Sequence, residues 1–280
     1  MKNFNQKVAA ITGAGSGIGR QLAVLLAQQG AHLALSDVNE QGLQETKALL
    51  QQYPVNVTLT QLDVSDQKAV SEWAEQSFKA HGKINLIFNN AGVALASTVE
   101  GMDYEELKWI LKINFWGVVY GTKEFLPYLK QSGEGHIVNI SSLFGLTAQP
   151  TQSAYNATKF AVRGFTESLR QELKLQHNGI SSTCVHPGGI RTNIANSARM
   201  SDSIRALGMN PAKASQAFNK VLKTPPEQAA KIILEAVKAD KARVLIGNDA
   251  KIIDLIQRIT PSHYSHALSF FSKKSKKKRA

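Results

Sequence analysis

The chain of 280 residues is 43% hydrophobic and 19% charged, long enough for one sizeable α/β domain and too apolar for a disordered protein. Its formal charge of +12 would suit a nucleic-acid binder, but Lys273, Lys274, Lys276, Lys277, Lys278 and Arg279 hold half of that excess in a terminal tail, with no nucleic-acid motif beside it. A lone cysteine, Cys184, excludes an internal disulfide, no apolar run reaches the ~18 residues of a membrane span, and "MKNFNQKVAAITG" lacks the apolar segment of a signal peptide, so a soluble cytoplasmic protein is expected.

In chain order, seven short apolar runs read as strands: "KVAAIT" (7–12), "AHLALS" (31–36), "VNVTLTQL" (55–62), "INLIFN" (84–89), "GHIVNIS" (135–141), "ISSTCVH" (180–186) and "ARVLIG" (242–247). Helical patterns at 17–29, 39–52, 66–81, 103–130 and 155–177 separate them. This alternation predicts βαβ crossovers, hence an α/β fold with a parallel sheet covered by helices on both faces. The near-continuous apolar character of the strands agrees with burial from two sides. No linker divides the chain, so one domain is expected over 1–260, followed by an extension, 261–280, with its basic tail. Residues 193–225 interrupt the rhythm; they predict two short helices around a turn at "GMNP" and a lid over a pocket. "ITPSHYSHALSFF" predicts a further helix near the same mouth.

Directly after the first strand, "TGAGSGIGR" places glycines at 13, 15, 17 and 19 before a helix. Bare backbone there admits a pyrophosphate, and the helix N-terminus offers free N–H groups and a positive dipole end. The spacing is T-G-x-x-x-G-x-G, not G-x-G-x-x-G. Asp37 ends the second strand, where a carboxylate can accept from both adenosine ribose hydroxyls and repel a 2′-phosphate. No Arg or Lys stands at 38 or at 14–16, so NAD is the expected cofactor. As a helix N-cap, Asp37 would have only a structural role.

"SAYNATKFAV" sets Tyr155 and Lys159 four residues apart, on one face of a helix about 6 Å apart along its axis. A lysine charge at ~4 Å would favour the phenolate by ~4 kcal/mol at an effective dielectric of ~20. Before desolvation costs are subtracted, and with the positive nicotinamide ring pushing the same way, this would bring the tyrosine, ordinarily near ~10, towards neutrality as a general base. His186 and Cys184, in the sixth predicted strand, read as packing residues.

The loop, "NNAG" (89–92), Asn114 in "KINFWG", Ser142 ending "IVNISS", Tyr155 with Lys159, and "HPGGIRT" (186–192) occur in one order. In that order they resemble the short-chain dehydrogenase/reductase family, over roughly residues 5–250. The resemblance implies a single-domain Rossmann-type doubly wound sheet of seven strands in the order 3-2-1-4-5-6-7. It implies an oxidoreductase interconverting an alcohol and its aldehyde or ketone, with Tyr155 as general acid/base. Ser142, rather than Ser141, would bind the substrate oxygen, Lys159 the nicotinamide ribose, and Asn114 a water linking Lys159 to solvent.

For NAD, the resemblance implies contacts from Gly13, Gly15, Ser16, Gly17, Ile18 and Gly19, and from Asp37. Asp63 would bind the adenine with Val64 beside it, although Asp63 could equally cap a helix. Asn90, Ala91 and Gly92 would follow, then Pro187, Gly188, Ile190 and Thr192 around the nicotinamide. No metal site is expected. Apolar residues in "LFGLTAQP" (143–150) and "VALAS" (93–97), with Met200, Ile204 and Leu207, point to a hydrophobic alcohol or carbonyl compound, such as an alkyl chain or a polycyclic ring. The ending "GNDAKIIDLIQRITPSHY" resembles bacterial family members that oxidise long-chain or aryl-alkyl alcohols, with a retinoid or steroid as the alternative. The family's helices matching 103–130 and 155–177 imply a homo-tetramer or homo-dimer. Two further readings are a non-catalytic NAD(H)-sensing scaffold and a membrane-associated dehydrogenase, touching lipid through residues 264–280.

Overall fold

Uninterrupted apolar runs become strands where both faces of a sheet are covered. The computed structural model describes residues 1–266 and shows them as β1 (Val8–Thr12), β2 (His32–Asp37), β3 (Val57–Gln61), β4 (Leu86–Asn89), β6 (Gly135–Ile140), β7 (Ile180–Pro187) and β9 (Arg243–Ile246). These seven pair in parallel in the order β3-β2-β1-β4-β6-β7-β9, the expected Rossmann-type order counted along the sheet. Two further strands, β5 (Leu95–Ala96) and β8 (Arg199–Met200), form a separate pair.

The helices are α1 (Gly17–Gln28), α2 (Glu40–Leu50), α3 (Gln67–His81), α4 (Tyr104–Leu111), α5 (Gly117–Gln131), α6 (Ser153–Gln176), α7 (Pro211–Asn219), α8 (Pro226–Lys238) and α9 (Asn248–Ile259). On one face of the sheet Ile11, Leu33, Leu35 and Phe88 pack with Leu22 and Leu26 of α1, Leu43 of α2 and Ile233 of α8. On the other, Val8, Ile87 and Ile137 meet Trp73 of α3, Phe125 and Leu129 of α5, and Leu169 and Leu173 of α6. Inside that layer Asn89 Nδ2 donates to Asn139 Oδ1 (2.8 Å) and Thr122 Oγ1 (3.1 Å), and Asn139 Nδ2 donates to Thr166 Oγ1 (3.0 Å). Buried polar contacts of this kind fix the relative positions of β4, β6, α5 and α6, although Asn89 Oδ1 has no partner among the described residues.

Two predicted elements differ. The single helix expected at 103–130 is interrupted by a π-helical turn, Lys112–Trp116, between α4 and α5. The 193–225 insertion does hold two short helices around "GMNP", but the first, Asp202–Leu207, is 3-10 and only the second, α7, is α-helical; a further 3-10 turn stands at Asn193–Ala195. Its near end is not free: β8 pairs with β5, and Ser203 Oγ lies 3.2 Å from Ser97 Oγ and accepts from Thr98 N at 3.1 Å. Short polar pairings of this kind leave no periodic signal in sequence. The basic tail lies outside the described residues.

Two buried histidines make stability depend on pH. Burial lowers both His136 and His186 from the usual 6.5 to about 4. The unfolded chain therefore binds more protons between those values, and stability falls as pH drops through that window. At ~1.4 kcal/mol per unit, each should cost about 2 kcal/mol between roughly pH 7 and 5. Half-buried His81, also lowered by burial, acts with the same sign. Urea unfolding at both pH values measures the loss, and His136→Gln should remove one share of it.

Candidate active site

The glycine loop is shaped by close approaches. A Cβ at Gly19 would stand 2.1 Å from Gly13 O and 2.6 Å from Asn90 Nδ2, so only glycine lets α1 start against the loop. Asn90 Nδ2 donates to Thr12 O (2.9 Å) and Gly13 O (3.1 Å), while the backbone N–H groups of Asn90 and Ala91 donate to Thr12 Oγ1, both at 3.0 Å. The "NNAG" turn thus braces the loop from behind. Asp37 Oδ2 accepts from Gly15 N at 2.8 Å, and Oδ1 from Asn39 N at 2.9 Å. The capping role falls to Asn39, whose Oδ1 accepts from Gly42 N at 3.0 Å, so Asp37 is not the N-cap of α2. Asp66, not Asp63, caps α3; Asp63 is exposed and accepts from Ser65 N at 2.9 Å, beside buried Val64.

A cleft of about 520 Å³ opens over this loop. Ser16, Gly17, Arg20 and Gln21 line one wall, and Arg191, Thr192, Asn193, Asn219, Leu222 and Pro226 the other. Its floor is the start of α1, the end of a helix that favours anions. A Cβ at Gly17 would lie 3.0 Å from Thr192 Cγ2, which sets the width between the walls. Ile190 is buried, and its neighbours Pro187 and Gly188 continue β7 into the same rim. A dinucleotide fits this donor set: a bare glycine cradle, a helix N-terminus, and a carboxylate at the end of β2.

Sequence reasoning missed the cleft's two arginines. Arg20 is committed to Gly15 O, Thr46 Oγ1 (3.0 Å) and Glu45 (2.7 Å). Arg191 is exposed and forms no ion pair among the described residues; its place inside "HPGGIRT" was the available signal.

The second half of the site stands on α6 and the end of β6. The face that buries α6 holds Tyr155, Thr158, Lys159, Val162, Thr166, Leu169 and Leu173, spaced at three and four residues, so one apolar stripe fixes both site residues. Lys159 Nζ lies 5.7 Å from the Tyr155 ring centroid and donates to Ile140 O at 3.0 Å. Phe144 meets Tyr155 edge-on, with centroids 6.1 Å apart. Leu95 and Ile110 complete the apolar setting.

The expected depression of Tyr155 by the lysine charge is not what dominates. Burial raises the Tyr155 phenol above its ordinary value, and a hydrogen bond with the Ser142 hydroxyl pulls it down. Burial instead lowers Lys159 to about 8, so the ammonium remains mostly charged at neutral pH.

The two serines divide clearly. Ser141 Oγ donates to Lys159 O at 2.8 Å and is buried, holding α6 to β6. Ser142 Oγ accepts from Phe144 N at 3.1 Å and faces Tyr155. His186 is buried, with Nδ1 3.0 Å from Ser142 O; it is a packing and backbone-holding residue. Burial raises the Cys184 thiol to about 12, which leaves it inert.

Asn114 lies in the π-turn and is wholly buried. Its Oδ1 accepts from Val93 N (2.8 Å), and its Nδ2 donates to Val93 O (2.9 Å) and Thr158 Oγ1 (3.3 Å). The side-chain amide is thus spent on the loop after "NNAG" and on Thr158, and a water-holding role would fall to the backbone. A Cβ at Gly92 would meet Asn114 Oδ1 at 3.2 Å and Lys159 Nζ at 3.5 Å, so a glycine lets these groups converge.

Of the expected apolar wall, Ile204 is buried in packing, Leu207 is exposed, and Met200 is half-buried in β8. Arg199, beside it, stacks over Trp109 at 3.7 Å.

Comparison with known proteins adds four likenesses. The short chain dehydrogenase family model matches residues 7–203. A protein of Mycobacterium tuberculosis named "Putative oxidoreductase SadH" is 46% identical over 270 residues, 96% of each chain. A short chain dehydrogenase/reductase from Burkholderia phymatum, solved in complex with NAD, superposes with a TM-score of 0.85 at 28% identity, covering 93% of this chain and 95% of that one. An alcohol dehydrogenase from Thermococcus sibiricus, complexed with 5-hydroxy-NADP, superposes at 0.70 with 26% identity, over 86% of this chain and 95% of that one.

Proposed function

The chain belongs to the short-chain dehydrogenase family, and from that premise we propose that it interconverts a hydrophobic alcohol and its aldehyde or ketone, with NAD as cofactor. The observation that carries this reading is the meeting of Ser142, Tyr155 and Lys159 at the carboxyl end of the sheet, beside a glycine cradle with Asp37 at its edge. NAD, when bound, takes or gives the hydride. Gly13, Gly15, Ser16, Gly17, Ile18 and Gly19 would hold its pyrophosphate side, with Asp37, Asp63 and Val64 at the adenosine. Asn90, Ala91, Gly92, Lys159, Pro187, Gly188, Ile190 and Thr192 would hold the remainder.

The protein's own residues handle the proton. Ser142 holds the substrate oxygen, and Tyr155 Oη takes the hydroxyl proton in oxidation or returns it in reduction. Lys159, positive and buried nearby, favours the phenolate form in which Tyr155 accepts. The raised Tyr155 gives the two directions opposite pH profiles. Alcohol oxidation should gain as pH rises past neutrality, and carbonyl reduction should be fastest where the phenol is intact.

A panel of alkyl, aryl-alkyl and polycyclic alcohols and carbonyls, assayed with NAD(H) and NADP(H) across pH, tests this. Absence of turnover across the panel, with NADH bound, would instead support an NAD(H)-sensing scaffold. Residues 193–225 would act as the substrate lid. Exposed Trp116 and Phe160, on the π-turn and α6, support a homo-dimer or homo-tetramer, which light scattering measures. Tail contact with a membrane surface is a further part of this reading.

A further inference from the structure

Helix α9 is fastened at both ends to the rim of the candidate active site. At its start Asp249 Oδ2 accepts from Gly189 N at 2.6 Å. Just past its end Tyr264 Oη accepts from Ala148 N at 3.0 Å, in the loop after Ser142. The inward face holds Ala250 and Asp254, and Asp254 takes Arg243 (2.8 Å) and Arg258 (2.9 Å).

The outward face is apolar. Ile252, Leu255 and Ile259 recur at i, i+3 and i+7 and are 58%, 57% and 70% exposed. No packing within the described fold uses this stripe. Lys251 and Arg258 stand on its flank.

Charge says what covers it. Residues 255–280 contain seven Lys and Arg and no Asp or Glu. An apolar helix face, followed after thirteen residues without Lys or Arg by a run of six cations, matches an anionic bilayer, whose acyl boundary takes the stripe and whose headgroups take the cations. A nucleic acid would satisfy the charge but not the stripe. A second copy seated on this face would bring its own cationic extension against the first.

We propose that the outer face of α9 seats this protein on an anionic lipid surface, held down by the cations of residues 273–279. The loop after Ser142 then stands beside the bilayer, where an apolar substrate partitions. The seat itself rests on α9 and the charge that follows, not on the dehydrogenase reading.

The test is flotation of the full chain with vesicles of phosphatidylcholine alone or with about 30% phosphatidylglycerol, in roughly 50 and 500 mM salt. Binding should favour the anionic vesicles about tenfold and weaken in high salt. Leu255→Ser with Ile259→Ser should lower it about tenfold again, without moving the melting temperature. Replacing the six tail cations by Gln should weaken binding separately.

Absence of wild-type binding in low salt overturns the proposal, and this arm needs no variant to fold. Binding that ignores the α9 substitutions also overturns it, leaving a purely electrostatic tail. So does a halved solution mass in the α9 variant with vesicle binding intact, or a preference for duplex DNA over vesicles. Turnover is read separately, so failure of the catalytic reading and failure of the seat are distinct results.

Discussion

Tyr155→Phe should lower turnover by roughly 10²–10⁴-fold, the range that a positioned general acid or base contributes. The substitution removes one oxygen and little else. Tyr155 is buried against Phe144, Leu95 and Ile110, so the ring of phenylalanine keeps that packing. Lys159 keeps its bond to Ile140 O, and Ser142 keeps the one from Phe144 N. NADH binding, followed by fluorescence titration, should therefore change less than about threefold, an energy below ~1 kcal/mol. A loss confined to kcat marks a proton-transfer group; an equal loss in NADH affinity would mark a structural one. Turnover close to wild type would refute the assignment.

Asp37→Ala should raise the NADP/NAD preference, measured as the ratio of kcat/KM values, by roughly 10–100-fold. A carboxylate facing a 2′-phosphate costs up to ~4 kcal/mol per charge pair at ~4 Å in an effective dielectric of ~20, and solvent at this half-buried site reduces it. The structure adds a second effect. Asp37 Oδ2 also holds Gly15 N, so alanine loosens the glycine loop and should lower activity with NAD as well. Asp37→Asn separates the two: it removes the charge and keeps an acceptor for Gly15. A ratio unmoved in both variants would mean that another group reads the ribose, and Arg191 in the cleft wall is then the residue to change.

What the sequence shows and what it hides follow from physical range. Strands β1, β4, β6 and β7 were legible because burial from both faces makes apolar runs unmistakable. Their order came from family resemblance, since periodicity within a strand says nothing about its neighbours. β5 and β8 are two residues each, too short for any pattern, and the Ser97–Ser203 contact joins residues far apart in the chain. Tyr155 and Lys159 were legible as a pair because helical spacing places them on one face. The choice between Ser141 and Ser142 rests on which hydroxyl Lys159 O consumes, a tertiary fact. Burial reversed the expected direction for Tyr155, because the spacing gives the charge but not the desolvation. The outward stripe of α9 reads in sequence like any amphipathic core face; only packing shows that it points away.

The π-turn at Lys112–Trp116 has one more consequence, for the phase of the two helices it joins. A π-turn is an α-helix carrying one surplus residue, and each residue advances the helix by about 100°. Straightening the turn into regular α-geometry with every residue kept would rotate α5 by that angle relative to α4. Val118, Gly121, Thr122, Phe125 and Leu129 would rotate off the sheet, while Ile110 kept its seat beside Tyr155. The wide turn, which absorbs the surplus residue, is therefore a phase correction. It lets one continuous rod serve the catalytic wall with its first half and the central core with its second, and the Asn114–Val93 clamp sits at the joint between them.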